Sequence, residues 1–146
     1  MKKILFGLMA SLLLGQAQAV ELVWQTDLPK ALAQAKTEKK LVLLDFTGSD
    51  WCAYCKRLHR DVFSTSEFAD YAKKNLVLVT VDFPRNTPQP KELKKANEAL
   101  QSKYRVDGFP TLVVLNSAGK EVDRQSGYDG SGIGPVTAMI DKHRTK

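Results

Sequence analysis

Continuous apolar runs and amphipathic stretches alternate along this chain. Runs that are apolar at successive positions are typical of strands buried on both faces, and they predict three core strands, at 41–46, 76–82 and 111–115. Two shorter strands are predicted at 21–24 and 121–125. Helical character occurs at 31–36, 56–63, 65–74, 91–103 and 135–143. With 56–74 counted as one helical stretch, the order is strand–helix–strand–helix–strand–helix–strand–strand–helix. This order predicts an α/β sandwich with a central mixed sheet.

Capping residues and loop residues mark several element boundaries. Asp27 is a suitable N-cap for the first helix, because its carboxylate can accept from the backbone N–H groups of the first turn. Ser64-x-x-Glu67 resembles a capping box and predicts the start of a second helical segment. Two long connections are predicted, a proline-punctuated loop at 83–90 and a glycine-rich loop at 127–134.

The first 19 residues have the pattern of a secretory signal peptide. Lys2 and Lys3 form a basic start, 4–14 is a short apolar run, and Ala17-Gln18-Ala19 fits a small-residue cleavage site. The apolar run is shorter than the roughly 20 residues that a transmembrane helix needs. We therefore expect a signal peptide at 1–19 and one mature domain at 20–146. The compact signal indicates a bacterial protein exported to the periplasm, and secretion beyond it stays open.

The net charge and the number of cysteines limit the classes of function that the chain can have. The chain carries a net charge of +6, to which the leader contributes two lysines, so the excess of basic residues is mild and does not indicate a nucleic-acid partner. Only two cysteines are present. A domain of this length can bury a core without disulfide bridges, so its single cysteine pair is available for chemistry.

Those two cysteines form the motif Trp51-Cys52-Ala53-Tyr54-Cys55 between a predicted strand and a predicted helix. Unpaired N–H groups and the helix dipole stabilise a thiolate at a helix start, which lowers the thiol pKa from about 8.5 toward roughly 3.5–7.5. We expect Cys52 to be the exposed nucleophile near the N-cap, and Cys55 to be the more covered, resolving thiol. Together they would exchange with a substrate disulfide through a mixed disulfide.

Other interpretations of the cysteine pair remain open. The pair could be a purely structural disulfide. It could also be part of a metal site with His59, although structural zinc usually takes four ligands and the other histidine, His143, is far along the chain. Covalent haem attachment requires a histidine directly after the second cysteine, and Lys56 occupies that position.

Three motifs in register resemble the thioredoxin superfamily. They are Val42-Leu43-Leu44-Asp45-Phe46, Trp51-Cys52-x-x-Cys55-Lys56 and Gly108-Phe109-Pro110-Thr111. The likeness covers nearly the whole mature chain, and 45–52 is similar to exported bacterial members, including the reducing domain of the thiol:disulfide interchange proteins. The resemblance implies a thioredoxin fold, with a central mixed sheet of four to five strands flanked by helices on both faces.

The resemblance also implies roles for residues outside the cysteine pair. Pro110 would follow a cis peptide bond and pair its backbone with an extended substrate segment, and Phe109 would help to define that contact. Trp51 would shield one side of the site, with simple core packing as the alternative. Tyr54, where proline is common in general thioredoxins, would tune thiolate stability and partner fit.

Asp45 is a candidate for proton transfer with Cys55. Burial in an apolar strand raises the pKa of a carboxyl group, and the resemblance implies that this acid exchanges a proton with the second cysteine. It lies seven residues before Cys52, one more than the commonest spacing of the family, so a role in capping the turn is the alternative. We expect Asp50 to be an exposed loop residue.

The leading hypothesis is a periplasmic thiol–disulfide oxidoreductase that reduces or isomerises disulfides of exported proteins. It would need no cofactor or bound metal, would draw electrons from a membrane-bound donor, and would be a monomer. The competing hypothesis is a chaperone or assembly factor that binds clients without turnover, using the loops at 83–90 and 127–134. Metal delivery is a third possibility.

Overall fold

The computed structural model describes residues 21–144. Five strands are formed in this part of the chain, namely β1 (Trp24–Gln25), β2 (Leu41–Thr47), β3 (Leu76–Asp82), β4 (Thr111–Leu115) and β5 (Glu121–Ser126). Its helices are α1 (Leu28–Glu38), α2 (Ala53–Leu58), α3 (Ser66–Asn75), α4 (Lys91–Lys103) and α5 (Ile133–Asp141). A π-helical turn, His59–Phe63, continues α2.

The strands form one mixed sheet in the order β1–β3–β2–β4–β5. Strands β1 and β2 run parallel to β3, whereas β4 runs antiparallel to β2 and β5 antiparallel to β4. The expected mixed sheet with helices on both faces is confirmed, with five strands. Strand β2 lies at its centre and delivers the chain to the cysteine motif.

The alternation of side chains along β2 separates two cores. Val42, Leu44 and Phe46 point to the face that packs with α1 and the end of α4. Leu43 points to the opposite face, where it packs with buried side chains from α2, α3 and α5. Because successive strand residues face opposite sides, Asp45 lies on the same side as Leu43. This parity places its carboxyl group on the side of the sheet that α2 covers.

Several predicted boundaries agree with the structure and others do not. Asp27 caps α1 by accepting from the Lys30 N–H at 3.0 Å. The predicted cap at Ser64 is wrong, because Thr65 is the N-cap of α3 and its Oγ1 accepts from the Phe68 N–H at 3.2 Å. The Ser64 hydroxyl instead lies 3.0 Å from the Nδ1 of His59.

The limits of the edge strand, of the cysteine helix and of the final helix also differ from the prediction. The edge strand expected at 21–24 forms only at Trp24–Gln25, where it pairs with β3. The helical pattern at 56–63 extends back to Ala53, directly after the expected N-cap at Cys52, and its second half is π-helical. The final helix begins and ends two residues before its predicted limits.

The expected signal peptide at 1–19 lies outside the described residues. Within 21–144, none of the helices is long and apolar enough to cross a bilayer.

Candidate functional site

The cysteine pair occupies the start of α2. Cys52 is the N-cap of this helix, and its Sγ accepts from the Cys55 N–H at 3.2 Å. The two residues are joined by a disulfide bond. The Sγ of Cys55 is also 3.5 Å from the N–H of Gly48, in the turn after β2. Both sulfurs therefore face backbone N–H groups, which favour the thiolate form when the bond is reduced.

The expected difference in exposure between the two cysteines is wrong. Cys52 is 6% exposed and Cys55 is 4% exposed, so both are buried in this disulfide-bonded form. The chain turns before the helix, with the Cys52 N–H donating to the Gly48 carbonyl at 2.8 Å. The two thiols therefore differ in the groups that surround them and not in their exposure.

Asp45 and Cys55 line the same cavity, which has a volume of about 400 Å³. Thr80, paired with Asp45 across the sheet, also lines this cavity, as do Lys56 and His59 from the helix. One carboxyl oxygen of Asp45 is buried without a hydrogen-bond partner among the described residues. Burial, reinforced by the nearby negative charge of Asp82, raises the pKa of Asp45 to about 7. The expectation that this pKa is raised is confirmed.

Pro110 directly precedes β4. The Phe109–Pro110 peptide bond is cis, as the resemblance implied. The Pro110 carbonyl accepts from the N–H of Gly127 at 2.8 Å, and Thr111 Oγ1 donates to the Gly108 carbonyl at 2.8 Å. These bonds fix the backbone before β4 on both sides of the proline.

Three aromatic side chains from different segments, Trp51, Phe83 and Phe109, form an aromatic wall that begins at the residue before Cys52. Trp51 donates from its indole Nε1 to the carbonyl of Phe83 at 2.8 Å, and its ring meets Phe109 edge-on at 6.0 Å between centroids. Phe83 stacks on Phe109 at 5.1 Å. Trp51 is thus held in place by contacts with Phe83 and Phe109. Tyr54, between the cysteines, is 61% exposed and free to meet a partner surface.

Asp50 organises the loop after β3, a role that the sequence analysis missed. Its carboxylate accepts from the backbone N–H groups of Arg85, Asn86 and Thr87 at 3.0, 2.8 and 2.8 Å. The hydrogen bond from Arg85 is the main cause of a lowered pKa at Asp50. No local pattern signals this role, because the loop that Asp50 binds is more than 30 residues away in sequence.

A second carboxylate supports the turn after β2. Asp82, the last residue of β3, accepts from both the N–H and the hydroxyl of Ser49, at 2.9 and 2.5 Å. The turn at 48–51 is therefore tied to the end of the neighbouring strand.

Within residues 21–144, no group of three or more His, Cys, Asp and Glu side chains is arranged to hold a metal ion.

Comparison with known proteins places this site in a family. A family model described as a thioredoxin-like domain matches residues 28–131. The disulfide bond reductase DsbH of Chlamydia pneumoniae is 37% identical over 121 residues, which cover 83% of this chain and 72% of that protein. A solved structure of the DsbH oxidoreductase superimposes with a TM-score of 0.79 at 33% identity, covering 93% of this chain and 94% of that chain.

A larger relative matches over a small part of its length. The thiol:disulfide interchange protein DsbD of Vibrio cholerae is 34% identical over 107 residues, which are 73% of this chain and 16% of that protein. Together with the disulfide at the start of α2, these matches assign the family. The chain belongs to the thioredoxin-like family and, within it, to the thiol–disulfide oxidoreductases.

Proposed function

We propose that this protein reduces or isomerises disulfide bonds of exported proteins in the bacterial periplasm, using Cys52 and Cys55 as its redox pair. The observation that carries the proposal is the disulfide between the N-cap of α2 and the residue one turn into it. The aromatic wall adjoins this position through Trp51, and it includes Phe109 of the cis Phe109–Pro110 bond. An extended partner segment would approach Cys52 along this wall.

The chemistry is thiol–disulfide exchange. In the reduced protein the Cys52 thiolate attacks one sulfur of a partner disulfide, and the other partner sulfur leaves as a thiolate that takes up a proton. The mixed disulfide is then attacked by Cys55, which releases the second partner thiol and closes the Cys52–Cys55 bond. Two electrons pass from the protein dithiol to the partner. In isomerisation a thiol of the partner displaces Cys52 instead, and no net electrons are transferred.

We assign the nucleophile and the resolving thiol from their neighbours. Cys55 shares its cavity with Asp45, whereas Cys52 does not line that cavity. A carboxyl group with a pKa of about 7 exchanges protons readily near neutral pH. Asp45 would therefore accept the proton of Cys55 as that thiol attacks the mixed disulfide, and Cys52 would make the first attack. Pro110 and Phe109 would align the partner backbone, while Trp51 and Tyr54 contact its side chains.

The direction of electron flow and the location are inferred from two sources. A named disulfide bond reductase is 37% identical to this chain, which supports reduction over oxidation. The leader pattern at 1–19 supports export. An exported compartment is oxidising, so sustained reduction requires an upstream donor. We propose a membrane-bound protein for that donor.

Single-cysteine variants test the proposal with a peptide disulfide as substrate. The pre-reduced wild-type protein should reduce the peptide and form its own disulfide with one-to-one stoichiometry. Cys52→Ser should lower the rate by at least about 10³-fold, because the nucleophile is lost. Cys55→Ser should instead accumulate a mixed disulfide, which mass spectrometry detects as a covalent adduct.

The outcomes separate the hypotheses. A Cys52→Ser variant that still acts on the peptide, or an adduct that forms through Cys55, would show that the assignment of the two thiols is wrong. A wild-type protein that binds unfolded clients but exchanges no disulfide would favour the chaperone or assembly-factor hypothesis. The reduction potential of the pair gives the direction. A value near −270 mV supports a reductase, and one near −120 mV an oxidase.

A further inference from the structure

Arg85 lies over the ring of Trp51 in the aromatic wall. Its guanidinium carbon lies 3.5 Å from the centroid of the Trp51 ring. Its backbone N–H, and those of the next two residues, bind the carboxylate of Asp50. An exposed arginine normally samples many rotamers. Here the Asp50 carboxylate holds the backbone of Arg85, and the Trp51 ring holds its side chain. The charge therefore has a defined position.

The donors of this guanidinium are unused within the described part of the chain. A guanidinium group has five N–H donors. Among residues 21–144, none of the carboxylates lies within ion-pair distance of the Arg85 side chain, and its N–H groups make no hydrogen bond. Stacking on Trp51 covers one face of the group and leaves its edge open. That edge matches the two oxygens of a carboxylate.

The aromatic wall connects this cation to the reacting sulfur. Trp51 is adjacent in sequence to Cys52, and its ring contacts Phe109, which precedes the cis-Pro110 bond. The Phe83 carbonyl, two residues before Arg85, binds the indole N–H of Trp51. Trp51 therefore links the guanidinium to Cys52, its neighbour in sequence, and through Phe109 to Pro110, the two positions that a partner segment would contact. The Nζ of Lys56, in contrast, donates to the Asp50 carbonyl at 3.1 Å.

We propose that Arg85 is a specificity determinant that favours partner proteins carrying an Asp or Glu carboxylate beside the cysteine that is attacked. The partner carboxylate would bind the open edge of the guanidinium while the partner sulfur is positioned at Cys52. This inference rests on the proposed function and adds the chemical class of partner that the site selects. Electrostatic complementarity of this kind acts mainly on partner choice and association rate.

Three peptide disulfides that differ only in the residues flanking one cysteine provide the test. One carries Glu, one carries Gln and one carries Lys at those positions. Single-turnover reduction by the pre-reduced protein is followed at low and at high salt. We expect the wild-type protein to reduce the Glu peptide about 5-fold faster than the Gln peptide at low salt, and the Lys peptide more slowly still. High salt should diminish the differences, because the site is solvent-accessible.

Arg85→Gln should abolish the preference for the Glu peptide and leave the rate for the Gln peptide unchanged. Arg60→Gln serves as the matched control, because Arg60 is an exposed arginine on the π-helical turn and its removal changes the net charge equally. The control should keep the full preference. Far-UV circular dichroism checks that both variants fold.

The inference is overturned if the wild-type protein reduces the Glu and Gln peptides at equal rates, or if Arg85→Gln keeps the preference. It is also overturned if Arg60→Gln loses the preference to the same extent, since net charge would then explain the selectivity. A wild-type protein that reduces none of the three peptides would overturn the proposed function, and this inference with it. Failure of the two proposals is therefore distinguishable.

Discussion

Replacing Asp45 by Asn should change how the stability of the protein depends on pH. Asp45 is 8% exposed as a residue, and burial with the neighbouring Asp82 charge raises the pKa of its carboxyl group from 3.8 to about 7. The folded protein thus binds this proton more tightly than the unfolded chain does. The contribution of Asp45 to stability is most favourable when the proton is bound in both states, at low pH, and it falls as the pH rises from about 4 to about 7.

The magnitude follows from the shift. Each pKa unit corresponds to about 1.4 kcal/mol, so a shift of roughly three units makes ionised Asp45 cost the folded state about 4 kcal/mol above pH 7. Asn has nearly the same shape and does not titrate. The free energy of unfolding of the Asp45→Asn variant, relative to the wild-type protein, should therefore rise by about 4 kcal/mol between pH 4 and pH 8.

Urea unfolding of the disulfide-bonded proteins at each pH measures this difference. Comparing variant with wild type at the same pH removes the contributions of the other titrating groups. Asp70→Asn on the exposed surface of α3 is the matched control, and its difference from wild type should stay within about 0.5 kcal/mol. If the two unfolding free energies of Asp45→Asn and wild type remain parallel over this range, the raised pKa of Asp45 is refuted.

Two further predictions concern the turn and loop around the cysteines. A Cβ at Gly48 would overlap the indole of Trp51, so Gly48→Ala should displace that ring and destabilise the oxidised protein by about 1–3 kcal/mol in urea unfolding. Gly108→Ala, where a Cβ meets nothing within 4 Å, should have little effect, and equal losses would contradict the steric argument. Asp50→Asn should speed amide hydrogen exchange at 85–87, and unchanged exchange there would show that the carboxylate does not hold the loop.

Much of the scaffold follows from local sequence. Strands β3 and β4 and helix α4 have the predicted limits, because continuous apolar runs and helical composition are signals carried within the segment. The cap at Asp27 and the helix start at Cys52 were predicted for the same reason. The choice of Thr65 over Ser64 as the N-cap of α3 was not predicted. Both are good capping residues, and contacts with His59 and Val62 decide between them.

The site was predictable where its chemistry is encoded in one segment. The spacing of Cys52 and Cys55 identifies a redox pair, and an acid within an apolar strand indicates a raised pKa at Asp45. The exposure of Cys52 was not predictable in this way. It depends on tertiary packing, and the turn that leads to Cys52 is held by Asp82 at the end of another strand.

The residues that surround the cysteines come together only through the sheet. The pairing of β2 with β3 places the ends of these strands side by side, and so brings Asp50 to the backbone of 85–87 and Trp51 beneath Arg85. These partners are more than 30 positions apart, and no sequence pattern in either segment predicts the contact between them. Local propensity and hydrophobic periodicity define the strands, the helices and the redox pair. Strand register and loop packing, which depend on the whole core, decide what a partner protein meets beside that pair.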